Sequence, residues 1–282
     1  MTLYSYVSKT VEQGGWTGVS RFDHMLRRAF PEIKSVTELP ELNGSDVVVT
    51  DNHLSLDLPE GIKTVVVHHG CAAIHFERDP AWRTARTLSV VESQKRMVAR
   101  KDLVFVAPSE WVAEKFLERY RDLRPRRAIV IPHWVDPIEP SQDPRENLIV
   151  GDWRDNNKGF SACRRLAQRF RQWEFRPLSF TDEEGRRKQY GEASLYLCLS
   201  LSEGGSYAVC DAEAASLPIV TTDVGNCLEF ADATVISWRI RDDVEAVGTA
   251  IERKLKKGRE RPSFYRSYSF EEWREKWRRV AG

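Results

Sequence analysis

The sequence predicts an α/β protein with two doubly wound, parallel-sheet (Rossmann-like) domains that face each other across a cleft. In both halves of the chain, short apolar runs that suit buried strands alternate with amphipathic segments that suit helices. A proline-rich segment, residues 137–144, separates the halves and is predicted to be a linker. In the second half, residues 195–226 read as strand, glycine turn, helix and strand, which is half of a nucleotide-binding sheet.

Composition restricts the class of protein further. A length of 282 residues suits two domains of ordinary size, and a net charge of +1 gives no general attraction to nucleic acid. The five cysteines are dispersed without a C-x-x-C pair, which favours a reduced, cytoplasmic setting over a disulfide framework. No apolar run approaches about 18 residues and the N-terminus lacks a charged-then-apolar leader, so we expect neither a membrane span nor a signal peptide.

The first half of the chain contains alternating predicted strands and helices. The strands are residues 3–7, 46–50, 63–68, 102–107 and 128–132, and the helices are residues 19–29, 81–101 and 110–120. Gly14, Gly15 and Gly18 lie between the first strand and the first helix. A glycine loop at this place suits either a tight turn or close approach to a ligand, and the tight turn is the simpler of the two.

His68 ends the predicted strand 63–68, at the sheet edge where open parallel sheets bind ligands. A histidine at this position also suits two roles without such a ligand. The ring could simply be hydrogen-bonded at a strand end, or it could bind zinc together with His69, Cys71 and His75, although their spacing is not that of a standard zinc site.

The second half begins with a predicted strand at 148–151 and a loop at 152–159 that carries Arg154 and Lys158. A planar guanidinium and a compact ammonium suit two adjacent phosphates, and two solvated surface charges are the alternative. The remaining prediction is a helix at 160–170, a strand at 175–180, a short polar segment to 191, an edge strand at 234–236, and helices at 242–255 and 270–280.

Glu203, Gly204 and Gly205 form the predicted turn of the central stretch, between strands 195–200 and 219–222. Ser206 is a candidate N-cap for the helix that follows, which Pro218 cannot continue. The start of such a helix presents free N–H groups and the positive end of the helix dipole. The turn is therefore a candidate anion site.

The acidic residues of this stretch resemble a known signature. Seven residues separate Glu203 from Asp211, and Pro218 follows seven positions later. This resembles the E-x7-E motif of retaining GT-B glycosyltransferases of family 4, with Gly-Ser in place of Phe-Gly and Asp211 in place of the second Glu. Residues 103–136 resemble a second passage of the family, with His133 and Trp134 in place of Asn-Gly.

The resemblance implies a retaining, metal-independent glycosyltransferase that takes a UDP- or GDP-linked sugar as substrate, uses no cofactor, and has an unidentified acceptor. No Asp-x-Asp metal motif occurs in the sequence. The implied catalytic residues are Glu203, which faces the donor sugar, and His68, which contacts it. The resemblance also implies a set of donor-binding residues. Most of them would contact the diphosphate or the ribose, and one belongs to the glycine loop of the acceptor domain. They are Arg154, Lys158, Gly204, Gly205, Ser206, Tyr207, Asp211 and Gly15.

The same resemblance implies an N-terminal acceptor-side domain at 1–137, a donor-binding domain at 138–265, and a final helix, 266–282, that packs back on the first domain. The E-x7-E register selects Asp211, so Glu213, on the opposite side of the helix, is expected to contribute little. Basic residues in 81–101 and 252–282 could bring the protein to the inner face of a membrane. Two alternatives to a transferase are a GT-B nucleotide-sugar epimerase and a non-catalytic protein that binds nucleotide or a partner.

Overall fold

The computed structural model describes residues 2–9, 17–141, 145–180, 182–261 and 263–282. They form two compact units: unit 1 is Met1–His133 with Phe270–Gly282, and unit 2 is Trp134–Ser269. Each unit is a parallel sheet with helices, as the sequence predicts. The predicted glycine loop, with Gly15, lies outside the described residues.

The strands of the two units form separate sheets. The strands are β1 (Leu3–Tyr6), β2 (Lys34–Val36), β3 (Val47–Asp51), β4 (Lys63–Val67), β5 (Leu103–Ala107), β6 (Ile129–Val130), β7 (Leu148–Gly151), β8 (Glu174–Pro177), β9 (Leu195–Cys198), β10 (Ile219–Thr222) and β11 (Thr234–Ile236). Unit 1 has the strand order β2-β1-β3-β4-β5-β6 and unit 2 has the order β11-β10-β9-β7-β8, and the neighbouring strands of both sheets run parallel.

The helices alternate with these strands along the chain. They are α1 (Gly18–Ala29), α2 (Ala72–Arg78), α3 (Ala85–Ala99), α4 (Glu110–Arg119), α5 (Phe160–Arg169), α6 (Glu183–Gly191), α7 (Tyr207–Ala214), α8 (Val244–Lys257) and α9 (Phe270–Ala281). Short 3-10 helices occur between them, as at Gly225–Glu229.

Apolar strands in the middle of each sheet explain why both are covered by helices. In unit 1, valines occupy most of β3 and β4 and are buried whichever way their side chains point. Trp273 and Trp277, at the spacing of one helix turn in α9, are each only 1% exposed. The ring of Trp277 lies 5.3 Å from that of Phe22 in α1. The predicted packing stripe of the last helix is therefore confirmed.

Four segments differ from the sequence prediction. Residues 81–101 are not one helix, because Thr84 accepts a hydrogen bond from the amide of Thr87 (3.2 Å) and caps a new helix, α3. The sequence does not predict strand β2 or helix α2, since both are short. Residues 183–191, expected to be a polar segment without a helix, form α6. Asp182 caps that helix by accepting from the amide of Gly185 (2.7 Å).

Two features bear on the setting of the protein. All five cysteines are buried free thiols. Within the residues described above, no helix has both the length and the apolar composition that crossing a membrane requires. Membrane contact through the basic segments stays a prediction.

Gly248 tests the packing of unit 2, because α8 approaches the end of α5 at this glycine. A Cβ placed there would lie 2.2 Å from the ring of Phe170. Alanine favours a helix over glycine by about 1 kcal/mol, but overpacking costs about 1–3 kcal/mol. We expect Gly248→Ala to lower the free energy of unfolding, measured by denaturant titration. Thr249→Ala, on the exposed side of the same helix, is the matched control, and a Gly248→Ala protein more stable than this control would contradict the packing.

Candidate active site

Lys158 and Glu203, which are 45 positions apart in sequence, form an ion pair at the carboxyl edge of the unit 2 sheet. The loop after β7 carries the lysine, and the turn after β9 carries the glutamate. Their side chains are 16% and 9% exposed, and Lys158 Nζ also lies 3.7 Å from Asp152 Oδ2. Burial by itself lowers the pKa of Lys158, but the charges of Glu203 and Asp152 outweigh burial and raise it. The ammonium group therefore stays charged.

Arg154, the other predicted phosphate ligand, is paired with Asp152. Its Nε and terminal nitrogen donate to the two carboxylate oxygens at 2.8 and 2.7 Å, a bidentate arrangement. The Arg154 side chain is 68% exposed and that of Asp152 is 17% exposed. Asp152 thus contacts both cations that the sequence assigns to a diphosphate.

Arg241 fixes the backbone on which Lys158 stands. Its guanidinium donates to the carbonyls of Asn156 (2.8 Å), Asn157 (3.0 Å) and Leu199 (2.9 Å), and so joins the lysine loop to the end of β9. Gly159 then begins α5 at a φ of 91°, which favours glycine. Sequence reasoning misses Arg241, because an arginine that binds carbonyls far away in the chain leaves no local pattern.

The turn that carries Glu203 is held by its own hydrogen bond and by residues 225 and 226. Ser200 Oγ donates to Glu203 Oε1 (2.6 Å). Gly225 has a φ of 55°, and a Cβ there would lie 2.5 Å from the Gly204 carbonyl oxygen. The amide of Asn226 donates to that same carbonyl oxygen at 2.9 Å. The carboxylate position is therefore determined by packing rather than by a free loop.

The start of α7 differs in detail from the prediction. Ser206 occupies the N-cap position, but its side chain makes no capping hydrogen bond, and its amide donates to Asn226 Oδ1 at 2.9 Å. Tyr207 is only 6% exposed, so its side chain belongs to the core. Gly204 is buried and Gly205 is half-buried. Of the four residues predicted here to bind the donor, Gly205 is the one that is partly exposed.

Asp211 and Glu213 are both buried, because α7 is enclosed on nearly all sides. Asp211 Oδ1 accepts a hydrogen bond from Arg186 (2.6 Å), and the side chains of Asp211 and Arg186 are at most 1% exposed. The contact of Asp211 with a ribose stays a prediction. Glu213 accepts from Arg259 (2.6 Å) and from the amide of Phe264 (2.7 Å), so it ties the segment after α8 to α7. Glu213 thus has structural partners in unit 2, and the expectation that it contributes little to the reaction stays a prediction.

In unit 1, His68 is fully buried at the end of β4. Its Nδ1 lies 3.0 Å from Asn52 Oδ1 and its Nε2 lies 3.2 Å from Cys71 Sγ. Contact between His68 and a donor sugar stays a prediction. The next residue, His69, is 18% exposed and pairs with Asp51 through Nε2 and Oδ1 at 2.7 Å. In the sequence, His69 is a candidate only for the alternative zinc site. Over the described part of the chain, no group of three or more His, Cys, Asp or Glu side chains is arranged to hold a metal ion.

Comparison with known proteins agrees with this architecture. Residues 131–257 match the family model described as glycosyl transferases group 1. Sucrose-phosphate synthase from Thermosynechococcus elongatus superimposes with a TM-score of 0.69 at 14% identity, over 100% of this chain and 95% of that one. The chain has the GT-B fold.

Two further GT-B structures are similar. WaaG, a glycosyltransferase involved in lipopolysaccharide biosynthesis, matches with a TM-score of 0.56 at 14% identity over 100% of this chain and 95% of that chain. The pneumococcal O-GlcNAc transferase GtfA, in complex with UDP and GlcNAc, matches with a TM-score of 0.56 at 16% identity over 85% of this chain and 57% of its own. No curated protein matches the sequence. The family match and the GT-B fold together support a glycosyltransferase.

Two buried histidines of unit 1 make its stability depend on pH. Burial, together with the charge of His69, lowers the pKa of His68 to about 3, and burial lowers the pKa of His133 well below its ordinary value. The unfolded chain takes up these protons near pH 6.5 while the folded chain does not. The stabilisation is complete above pH 6.5 and is lost as the pH falls, by roughly 1.4 kcal/mol per pH unit for each histidine.

We therefore expect the free energy of unfolding to fall between pH 6.5 and 5, and the imidazole resonances of both histidines to stay at their neutral positions in NMR over that range. His24→Gln, at an exposed position of α1, is the control and should keep the slope. An imidazole of His68 that titrates near pH 6.5 would contradict its burial.

Proposed function

We propose that this protein transfers a sugar from a nucleotide-sugar donor, UDP- or GDP-linked, to the hydroxyl of an acceptor, and that unit 2 binds the nucleoside diphosphate. The observation that carries the proposal is the position of Lys158. A charged, largely buried ammonium group lies beside Glu203 at the carboxyl edge of a parallel sheet, which is the edge where α/β proteins bind nucleotides. The GT-B fold and the group 1 family match over residues 131–257 support the same assignment.

Electrostatic stabilisation of the leaving group is the main catalytic task in such a reaction. Cleavage of the bond between sugar and phosphate places negative charge on the diphosphate, and preorganised positive groups lower the free energy of that state. Lys158 supplies a largely buried charge, Arg154 an exposed planar fork, and the first amides of α7 the positive end of a helix. Because these groups belong to the protein, we propose that transfer needs no divalent metal.

Glu203 is the residue we assign to the donor sugar. Its carboxylate is held by Ser200 and Lys158 within a rigid turn, and ionised carboxylates accept hydrogen bonds from sugar hydroxyls. Retention of configuration is part of the proposal and rests on the E-x7-E resemblance, without a protein nucleophile. Because GtfA was crystallised with UDP, UDP is the first nucleotide to test.

The first prediction is that Lys158→Ala weakens the binding of UDP or GDP by about 1.5–3 kcal/mol, the range for a hydrogen bond to a charged group. Isothermal titration calorimetry measures the change. Lys256→Ala removes an exposed lysine of unit 2 that pairs with Glu252, and it should bind like the unchanged protein. Circular dichroism should show that both variants are folded. Equal affinity for Lys158→Ala and the unchanged protein would remove Lys158 from the site.

The second prediction is that Glu203→Gln still binds the nucleoside diphosphate but loses transfer by about 100-fold or more, the size of loss when a group that stabilises the transition state is removed. Transfer is followed by mass spectrometry of a set of nucleotide-sugars with candidate acceptors, in excess EDTA. Glu252→Gln, on the exposed face of α8, is the control. Near-normal transfer by Glu203→Gln would contradict the assignment of Glu203 to the donor sugar. If the unchanged protein turns over the nucleotide-sugar with no acceptor, it is an epimerase. If the unchanged protein binds the nucleotide without turnover, it is a non-catalytic protein.

A further inference from the structure

Arg154 and Lys158 are both paired with carboxylates of the site itself. Asp152 and Glu203 are their partners in the two loops at one sheet edge, and the charge of Asp155, in the same loop, also acts on Arg154. Asp152 is the residue that contacts both cations, with its Oδ2 at 2.7 Å from Arg154 and 3.7 Å from Lys158. A diphosphate that enters while these contacts persist meets no net positive charge from the four side chains.

The two carboxylates are held differently. Glu203 is 9% exposed and is also bound by Ser200, so its position is fixed. Asp152 is bound chiefly by Arg154, an exposed side chain only two residues away. Solvent screens part of the attraction in this pair, because the Arg154 side chain is 68% exposed, although Asp152 is only 17% exposed. Of the two carboxylates, Asp152 is therefore the less firmly held.

We infer that Asp152 is an internal counter-ion that competes with the diphosphate for Arg154 and Lys158, and that it limits how tightly the nucleoside-diphosphate product is held. This inference rests on the proposed function. When a donor binds, its phosphates take the place of the Asp152 carboxylate on both cations. When transfer is complete, the return of Asp152 to Arg154 favours release of the product.

The Asp152 carboxylate should weaken the binding of the product, a nucleoside diphosphate, more than the binding of the donor, a nucleotide-sugar. In a nucleotide-sugar each phosphate has one ester bond to a sugar and one anhydride bond to the other phosphate, and carries one negative charge. In the nucleoside diphosphate the terminal phosphate is free and loses a second proton near pH 6, as phosphate monoesters do. The extra charge makes repulsion by a neighbouring carboxylate larger. Asp152 thus shifts the balance of affinity from product toward donor.

The test compares the unchanged protein with Asp152→Asn, which keeps the shape of the side chain and removes its charge. UDP and UDP-glucose are the probes, with GDP and GDP-mannose in parallel, and calorimetry gives the dissociation constants at one fixed salt concentration. We expect Asp152→Asn to bind the nucleoside diphosphate about 5- to 30-fold more tightly, as for one unit charge removed several ångströms from the phosphates. The gain for the nucleotide-sugar should be smaller.

Glu252→Gln removes one exposed carboxylate of unit 2 and serves as the control for net charge. Asp152→Ser replaces Asp152→Asn if the latter does not fold. A tighter complex with the Asp152 variants alone supports the inference. Unchanged or weaker binding by those variants, or an equal gain in Glu252→Gln, overturns the inference and leaves the proposed function standing. Absence of nucleotide binding in every protein, the unchanged one included, overturns the proposed function and the inference with it.

Discussion

The ion pair between Lys158 and Glu203 is the contact around which the candidate site of unit 2 is arranged. Removing two charges from water is costly, and the cost is recovered only where geometry is good and the remaining polar atoms are bonded. Ser200 supplies a second partner for Glu203, and Asp152 lies near the lysine. Loss of one partner of a buried pair costs about 3–5 kcal/mol in proteins, because the other charge is then left uncompensated. The two loops are therefore coupled, although 45 residues separate them.

The scaffold that holds this pair is made largely of hydrogen bonds to backbone atoms. Arg241 binds three carbonyls around the lysine loop, and the segment at Gly225 and Asn226 closes on the glutamate turn. The parallel sheet brings both loops to one edge, since the carboxyl ends of β7 and β9 are adjacent. A backbone held in this way on packed elements keeps the side chains of both loops next to the place where a ligand would bind.

The sequence predicts some elements of the fold and of the site but not others, for physical reasons. Strongly apolar strands and their alternation with helices predict both parallel sheets, because burial dominates the energetics of such segments. The stretch around Glu203 is located for the same reason. Helix α6 escapes prediction because its stability depends on the Asp182 cap and on Arg186, whose partner Asp211 lies 25 positions away. Helix geometry places Asp211 and Glu213 on opposite sides of α7 and suggests that one of them faces a ligand. Tertiary packing instead buries both and gives Glu213 a structural partner in Arg259.

The ammonium group of Lys158 can pair with Glu203 or with a bound diphosphate. Phosphate binding is therefore linked to the hydrogen bonds and charges around the Glu203 carboxylate. In the protein alone the lysine compensates the Glu203 carboxylate, which is 9% exposed. In the proposed reaction a diphosphate draws that charge toward itself, and Glu203 keeps Ser200 as a donor but loses part of its cation. A partly buried carboxylate that lacks hydrogen-bond donors is destabilised, so new donors are favourable. The hydroxyl groups of the sugar in a nucleotide-sugar can donate these hydrogen bonds to Glu203. Binding of the phosphates would in this way prepare Glu203 to bind the sugar, so a nucleoside diphosphate and a free sugar should bind cooperatively to unit 2.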